Sequence, residues 1–144
     1  MQVKIKKLRE TAVTPTRGSV ASAGYDIYAC LDNAITVSPG ETVKIPTGLS
    51  MELPDGYAAF IYARSGLATK KGLAPANKVG ICDSDYRGEY IVPLHNHGTT
   101  IAIIHPKERI AQLIFLPFVT AEFLETDSLS ETERGTGGFG STGK

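Results

Sequence analysis

Apolar and polar residues along this chain follow short periods. Near the amino terminus Val3-Lys4-Ile5 alternates as a half-buried strand does, and Thr14-Pro15-Thr16-Arg17-Gly18-Ser19 follows as a loop. Residues 23–29, 35–37, 41–45, 49–53 and 57–62 then read as successive strands, parted by Ser38-Pro39-Gly40, Pro46-Thr47-Gly48 and Pro54-Asp55-Gly56. The pattern resumes at residues 79–82, 90–94, 100–104 and 109–115, the last almost continuously apolar, with a turn at Asn96-His97-Gly98. Turn signals this close together predict an all-β barrel or sandwich. One short helix is predicted over residues 65–71, capped by Ser65 and stopped by Gly72.

At residue 125 the pattern ends. Residues 125–144 are polar and glycine-rich, and such a segment cannot pack a core of its own. The chain therefore divides into a β-barrel domain, residues 1–124, and a flexible carboxy-terminal arm, residues 125–144, expected to be mobile in the free protein. Phe139, set among glycines with Arg134, Ser141 and Thr142 nearby, suits stacking on a base and gripping phosphate. The spacing of Gly138, Gly143 and Lys144 imitates a Walker phosphate loop, but the strand before and the helix after that such a loop needs are missing.

Composition narrows the partners. Fifteen basic and fifteen acidic residues cancel among 144, so the global positive field that supplies non-specific nucleic-acid affinity is absent. No stretch approaches membrane-spanning length, and no apolar signal core follows the amino terminus. The two cysteines, Cys30 and Cys82, are too few for a disulfide framework and too far apart for a metal knuckle. These features predict a cytoplasmic, reducing setting, with neither nucleic acid nor membrane as partner.

The chemistry is concentrated in residues 77–89, Asn77-Lys78-Val79-Gly80-Ile81-Cys82-Asp83-Ser84-Asp85-Tyr86-Arg87-Gly88-Glu89. Residues 79–82 read as one arm of a buried hairpin, residues 83–88 as its turn, and Tyr90-Ile91-Val92 as the following strand. Asp83 stands where the strand ends, either bonding its own backbone or serving as a reactive carboxylate. Asp26, flanked by Tyr25 and Ile27, must point to solvent or be paired, because an unpartnered buried carboxylate is costly. Arg64, Ser65 and Gly66 form either an ordinary helix start or an anion site. Gln112, an amide in an apolar strand, either ties down a neighbouring loop or faces a ligand. His95 and His97 could share a face, but a third metal ligand is not apparent and they read as surface residues.

Together, Ala23-Gly24-Tyr25-Asp26-Ile27-Tyr28-Ala29, Arg64-Ser65-Gly66-Leu67-Ala68, residues 77–89, Arg109-Ile110-Ala111-Gln112-Leu113-Ile114 and residues 134–143 resemble, in order and spacing, the five motifs of the homotrimeric dUTP diphosphatases, the dUTPases. The resemblance runs from about residue 20 to residue 144. It implies a jelly-roll-type β-barrel, a homotrimer with active sites shared between subunits, and an arm that closes over a site made by the other two chains. The implied reaction is hydrolysis of dUTP to dUMP and diphosphate, which keeps uracil out of DNA and supplies dUMP for thymidylate synthesis.

Residue roles are implied in the same way. Asn77, with the backbone of Gly80, Ile81 and Cys82, matches the uracil pocket; main-chain pairing that imitates adenine rejects cytosine, and a methyl at ring carbon five would collide. Tyr86 matches the residue under the sugar that leaves no room for a ribose 2′-hydroxyl. Asp83 matches the catalytic aspartate, orienting a water for attack on the α-phosphorus. Arg64, Ser65, Gly66 and Gln112 match the phosphate-binding groups, and Mg²⁺ is expected to chelate the phosphates while keeping its remaining waters, with Asp26 and Asp85 as partners of those waters. Arg134, Phe139, Gly140, Ser141 and Thr142 match the arm.

Two positions depart from the family pattern: Cys82 stands where isoleucine is usual, and Ala63 where proline commonly precedes the arginine. Cys82 beside Asp83 suggests sensitivity to oxidation. The related dCTP deaminases share the fold but carry a catalytic glutamate about where Pro93 stands here, and proline cannot move a proton. A regulatory binding protein of the same fold would need no turnover, and retention of Asp83 speaks against it.

Overall fold

The computed structural model describes residues 1–138. Where β-branched and aromatic residues alternate between turn signals, strands form, and eleven are found among the described residues. They are β1 (Lys4–Lys7), β2 (Tyr25–Tyr28), β3 (Ile35–Val37), β4 (Thr42–Pro46), β5 (Leu49–Glu52), β6 (Tyr57–Tyr62), β7 (Leu73–Pro75), β8 (Gly80–Cys82), β9 (Ile91–Asn96), β10 (Ala102–Ile104) and β11 (Arg109–Pro117). A single seven-residue helix, α1 (Ser65–Lys71), lies between β6 and β7. The strands form a four-stranded sheet ordered β2-β11-β6-β8, a three-stranded sheet ordered β4-β9-β7, and the pairs β1-β5 and β10-β3. All pairings are antiparallel, giving the expected all-β, jelly-roll-type fold.

Val37, Ile45, Leu49, Leu73, Val92, Leu94, Ile104, Ile110 and Leu113 are fully buried and knit these sheets into one core. Burying each of these side chains contributes about 1.5–3 kcal/mol. Among them sits one amide, Asn96, whose hydrogen-bonding capacity is met: Nδ2 donates to Val37 O and Thr100 O at 2.8 Å each, and Oδ1 accepts from Gly98 N at 2.9 Å. Asn96 thereby turns the chain after β9 across to β3. This explains why residues 100–104 do not fold back on residues 90–94 as their shared turn suggests: β10 pairs with β3, not β9.

The helix occupies the predicted residues but begins differently. Arg64, extended at φ −89° and ψ 128°, is the N-cap, and its carbonyl accepts the first helical bond from Ala68 N at 2.9 Å. Ser65 is already helical and caps nothing. The stop is as expected: Gly72 adopts φ 68°, and a Cβ there would lie 2.8 Å from the Gly98 backbone, so only glycine fits. Leu73-Ala74-Pro75, which its proline disguises as loop, is a strand paired with β9.

The expected hairpin does not form either. β8 pairs with β6, in the register Ala59↔Cys82, Phe60↔Ile81 and Ile61↔Gly80, while β9 pairs with β4 and β7. The segment between β8 and β9 is drawn away by the β4–β5 turn: Gly48 N donates to Glu89 Oε1 at 2.7 Å, Thr47 Oγ1 to Tyr90 O at 2.6 Å, and Tyr90 N to Leu49 O at 2.8 Å. The two strands diverge and leave a cleft.

After Pro117 no strand or helix follows among the described residues, and every residue from Leu116 to Thr136 is exposed.

Candidate active site

The cleft between β8 and β9 is a cavity of about 240 Å³ lined by Ile61, Asn77, Gly80, Ile81, Cys82, Asp83, Tyr86, Glu89, Tyr90, Ile91 and Pro93. It brings together six of the residues predicted from sequence: Asn77, Gly80, Ile81, Cys82, Asp83 and Tyr86. β8 is the outermost strand of its sheet, so its far edge pairs with no strand and its main-chain donors and acceptors remain available to a ligand. Ile81 is 63% exposed, so the apolar run that looked like a buried arm is instead a pocket rim.

Asn77 is placed over that edge by unusual backbone. Lys78 adopts φ 65°, a left-handed conformation that non-glycine residues rarely hold outside sites that require it. Val79 N then bonds Asn77 O at 2.7 Å and Lys78 N bonds Pro75 O at 3.0 Å. A Cβ at the buried Gly80 would stand 3.3 Å from both Asn77 Nδ2 and Ile61 Cβ, so the glycine makes the floor on which the amide rests.

Asp83 is exposed at the end of β8, and its carbonyl accepts from Tyr86 N at 3.2 Å, closing the turn. Arg87, which drew no role from sequence, braces that turn by donating to Ser84 O at 2.6 Å and Tyr86 O at 3.2 Å. Tyr86 Oη donates to Glu89 O at 3.1 Å. Asp85 is exposed on the same turn, outside the cavity lining.

Burial of Cys82, followed by the neighbouring Asp83 charge, pushes its thiol up from 9.0 to about 11. A thiol held protonated is a poor nucleophile, so the environment opposes the oxidation sensitivity suggested by sequence. Burial likewise pushes the Tyr90 phenol well above its ordinary range, with Cys82 adding to the shift. The two groups are close enough to perturb each other's ionisation, and Tyr90 Oη meets no hydrogen-bond partner of normal geometry among the described residues.

A second cavity, also about 240 Å³, is lined by Arg64, Gly66, Leu67, Lys70, Lys71, Glu108 and Arg109. Four cations face it, and Ser65 is exposed beside it. Arg64 is aimed by Asp26, whose Oδ1 accepts from Arg64 Nε at 2.6 Å and whose Oδ2 accepts from Arg109 Nη1 at 3.2 Å. The paired alternative for Asp26 is thus the one realised. Gln112 takes the loop-tying alternative: Nε2 donates to Ala63 O at 2.9 Å, holding the residue before Arg64. Gly24 lies against it, and a Cβ there would fall 2.5 Å from Gln112 Oε1 and force the amide to shift.

Lys71 closes the cavity's far side, donating to Glu108 Oε1 at 2.5 Å and Ile103 O at 2.9 Å. Burial pushes the Glu108 carboxyl up, but the Lys71 hydrogen bond, the His105 N–H and the Lys71 charge outweigh it and leave it below the usual range. Arg109 opens one of the five motifs but drew no role there, and Lys70, Lys71 and Glu108 read in the sequence as ordinary surface charges.

The two cavities share no lining residue. His95 accepts or donates at Nδ1 with Thr42 Oγ1, 2.9 Å away, and His97 is exposed. Among the described residues no group of three His, Cys, Asp or Glu side chains gathers as metal ligands. Arg134 Nε donates to Gly137 O at 2.8 Å within an exposed turn. Phe139, Gly140, Ser141 and Thr142 lie outside the described residues.

A family profile described as dUTPase matches residues 10–143. The deoxyuridine 5'-triphosphate nucleotidohydrolase of Desulfitobacterium hafniense (strain DSM 10664 / DCB-2) is 50% identical, over 99% of this chain and 97% of its own length. That of Paraburkholderia phytofirmans is 46% identical, over 100% of this chain and 98% of its own. Among solved structures, the Staphylococcus bacteriophage 80alpha dUTPase with dUPNHPP superposes with a TM-score of 0.91 at 27% identity, covering 99% of each chain. With the profile spanning nearly all of the sequence and relatives this similar along their whole length, the chain belongs to the dUTPase family.

Proposed function

We propose that the chain hydrolyses dUTP to dUMP and diphosphate by attack of an Asp83-oriented water on the α-phosphorus. The observation that carries this reading is the convergence of Asn77, Gly80, Asp83 and Tyr86 on one cavity at an unpaired strand edge, in a chain half identical to a nucleotidohydrolase. Uracil enters the cleft and pairs with the free edge of β8, while the Asn77 amide, resting on Gly80, offers both a donor and an acceptor. Cytosine presents those groups exchanged and is refused, leaving polar atoms unpaired on both sides. Tyr86 lies under the sugar.

Asp83 accepts a hydrogen bond from the water, which sets its oxygen toward phosphorus and draws off its proton. The new P–O bond forms as the bridging bond to the β-phosphate breaks, and diphosphate leaves with that electron pair. Arg64, steered by Asp26, together with Ser65, Gly66 and the loop held by Gln112, grips the phosphate chain.

The donor set suits Mg²⁺ carried mainly by the nucleotide. Exposed Asp83 and Asp85 present hard oxygens, whereas both Asp26 oxygens already accept from arginines. When bound, Mg²⁺ neutralises charge on the phosphates. Asp85 would accept from one of its waters; the part of Asp26 is to hold Arg64.

The protein works as a homotrimer with shared sites. Two features support this: the base cavity and the cationic cavity share no residue within one chain, and Val119, Phe123, Leu124 and Leu129 are each at least 87% exposed in the single chain. Exposed apolar side chains in such a run belong against another surface. Residues 125–144 form the arm that completes a site of the trimer, with Arg134, Phe139, Gly140, Ser141 and Thr142 closing on base and phosphates.

Incubation with dUTP and Mg²⁺, followed by product identification, tests the assignment. The reading requires dUMP and diphosphate. Release of ammonia from dCTP would favour a deaminase instead, which the non-ionisable Pro93 and the Gly48-bound Glu89 in the cavity wall argue against.

A further inference from the structure

The wall behind the base cavity carries a polar atom that no group among the described residues satisfies. Tyr90 is the largest fully buried side chain among the described residues, 1% exposed, and its hydroxyl has no hydrogen-bond partner. An orphaned buried hydroxyl is destabilising, so hydrogen bonding does not explain the side chain. The main chain does not need it either, because Tyr90 N bonds Leu49 O at 2.8 Å and Tyr90 O accepts from Thr47 Oγ1 at 2.6 Å, whatever the side chain is.

What the ring does touch is Tyr86. The two ring centroids are 6.0 Å apart with planes tilted by 49°, inside the range of favourable aromatic pairs. Tyr86 is otherwise lightly held: 44% exposed, with one 3.1 Å hydrogen bond to Glu89 O and Gly88 beneath its ring. Without the Tyr90 ring, space opens behind Tyr86 into which it can retract, away from the sugar.

We propose that Tyr90 is a positioning residue for sugar specificity: its buried ring buttresses Tyr86 at the angle that denies room to a ribose 2′-hydroxyl, so the chain rejects UTP with a pair of tyrosines. This inference rests on the reading of Tyr86 as the residue under the sugar. The ring provides the buttress; the hydroxyl is dispensable.

The test compares kcat/KM for dUTP and for UTP in the wild-type protein and in the Tyr90→Leu, Tyr90→Phe and Tyr86→Ala variants, with a melting temperature for each. Loss of one aromatic pair should lower the dUTP-to-UTP ratio of Tyr90→Leu roughly three- to tenfold. Tyr90→Phe should restore the wild-type ratio, which a general packing defect would not produce. Tyr90→Met serves in place of leucine should the leucine variant not fold. If Tyr90→Leu or Tyr90→Met keeps the ratio while Tyr86→Ala collapses it, the buttress is overturned and the reading of Tyr86 stands. If Tyr90→Phe also loses the ratio, the ring contact is not the cause and the inference fails. A ratio unmoved by Tyr86→Ala removes the reading of Tyr86, and the buttress with it.

Discussion

Asp26 Oδ1 accepts a hydrogen bond from Arg64 Nε at 2.6 Å, with the two side chains only 13% and 26% exposed. The pair joins β2 to the start of α1, and Arg109 adds a second guanidinium to the same carboxylate. Charge-assisted bonds of this kind fix direction as well as energy. Asp26→Asn removes the charge that aims Arg64 at the cationic cavity. Steady-state kinetics should show kcat/KM for dUTP falling about tenfold or more, and denaturation should show a loss of about 1–3 kcal/mol. Unchanged kinetics would mean that Arg64 needs no steering.

Gly80→Ala tests the floor of the base cavity. Its new Cβ would sit 3.3 Å from Asn77 Nδ2, so the amide must shift by a few tenths of an ångström. A misplaced hydrogen bond costs about 1 kcal/mol, so KM should rise on the order of fivefold, with a fall in melting temperature from the equal crowding of buried Ile61.

Cys82 gives a stability signature in alkali. Its thiol ionises near 9 when unfolded but only near 11 when folded. Between those values the unfolded chain has released a proton that the folded chain still binds, so stability is complete below about pH 9 and declines as pH rises toward 11. Because Cys82 is only half-buried, the loss is smaller than the limit of about 1.4 kcal/mol per pH unit. Melting temperatures from pH 8 upward should fall less steeply in Cys82→Ala, and iodoacetamide at neutral pH should react more slowly with Cys82 in the folded protein than with an unfolded-chain thiol.

Removing residues 134–144 probes the arm. Residues 118–136 are exposed throughout and contribute nothing to the core, so the melting temperature should barely change. Activity should collapse. A large fall in stability would show that the tail is part of the fold.

Much of this was legible in the sequence because it is local. Strand alternation, the Gly72 helix stop and the gathering of Asn77, Gly80, Asp83 and Tyr86 all follow from residues near one another along the chain. Pairing was not legible: β8 lies next to β9 in sequence, yet bonds from Gly48, Thr47 and Leu49 to Glu89 and Tyr90 pull them apart, and those partners are some 40 positions away. Ser65 resembled a cap, but the N-cap is the residue that itself holds extended dihedrals before the helix, and that residue is Arg64. Arg109 and Tyr90 were overlooked for the same reason. An arginine opening a strand and a tyrosine within one look ordinary until Asp26 and Tyr86 are placed beside them.

The central claim is that the Asp83 carboxylate sets the attacking water. Single-turnover hydrolysis of dUTP by Asp83→Asn, with nucleotide binding measured on the same sample, tests it most directly. Binding within a few-fold of wild type together with hydrolysis at least about a hundredfold slower is the predicted result. Hydrolysis at a near wild-type rate would contradict it.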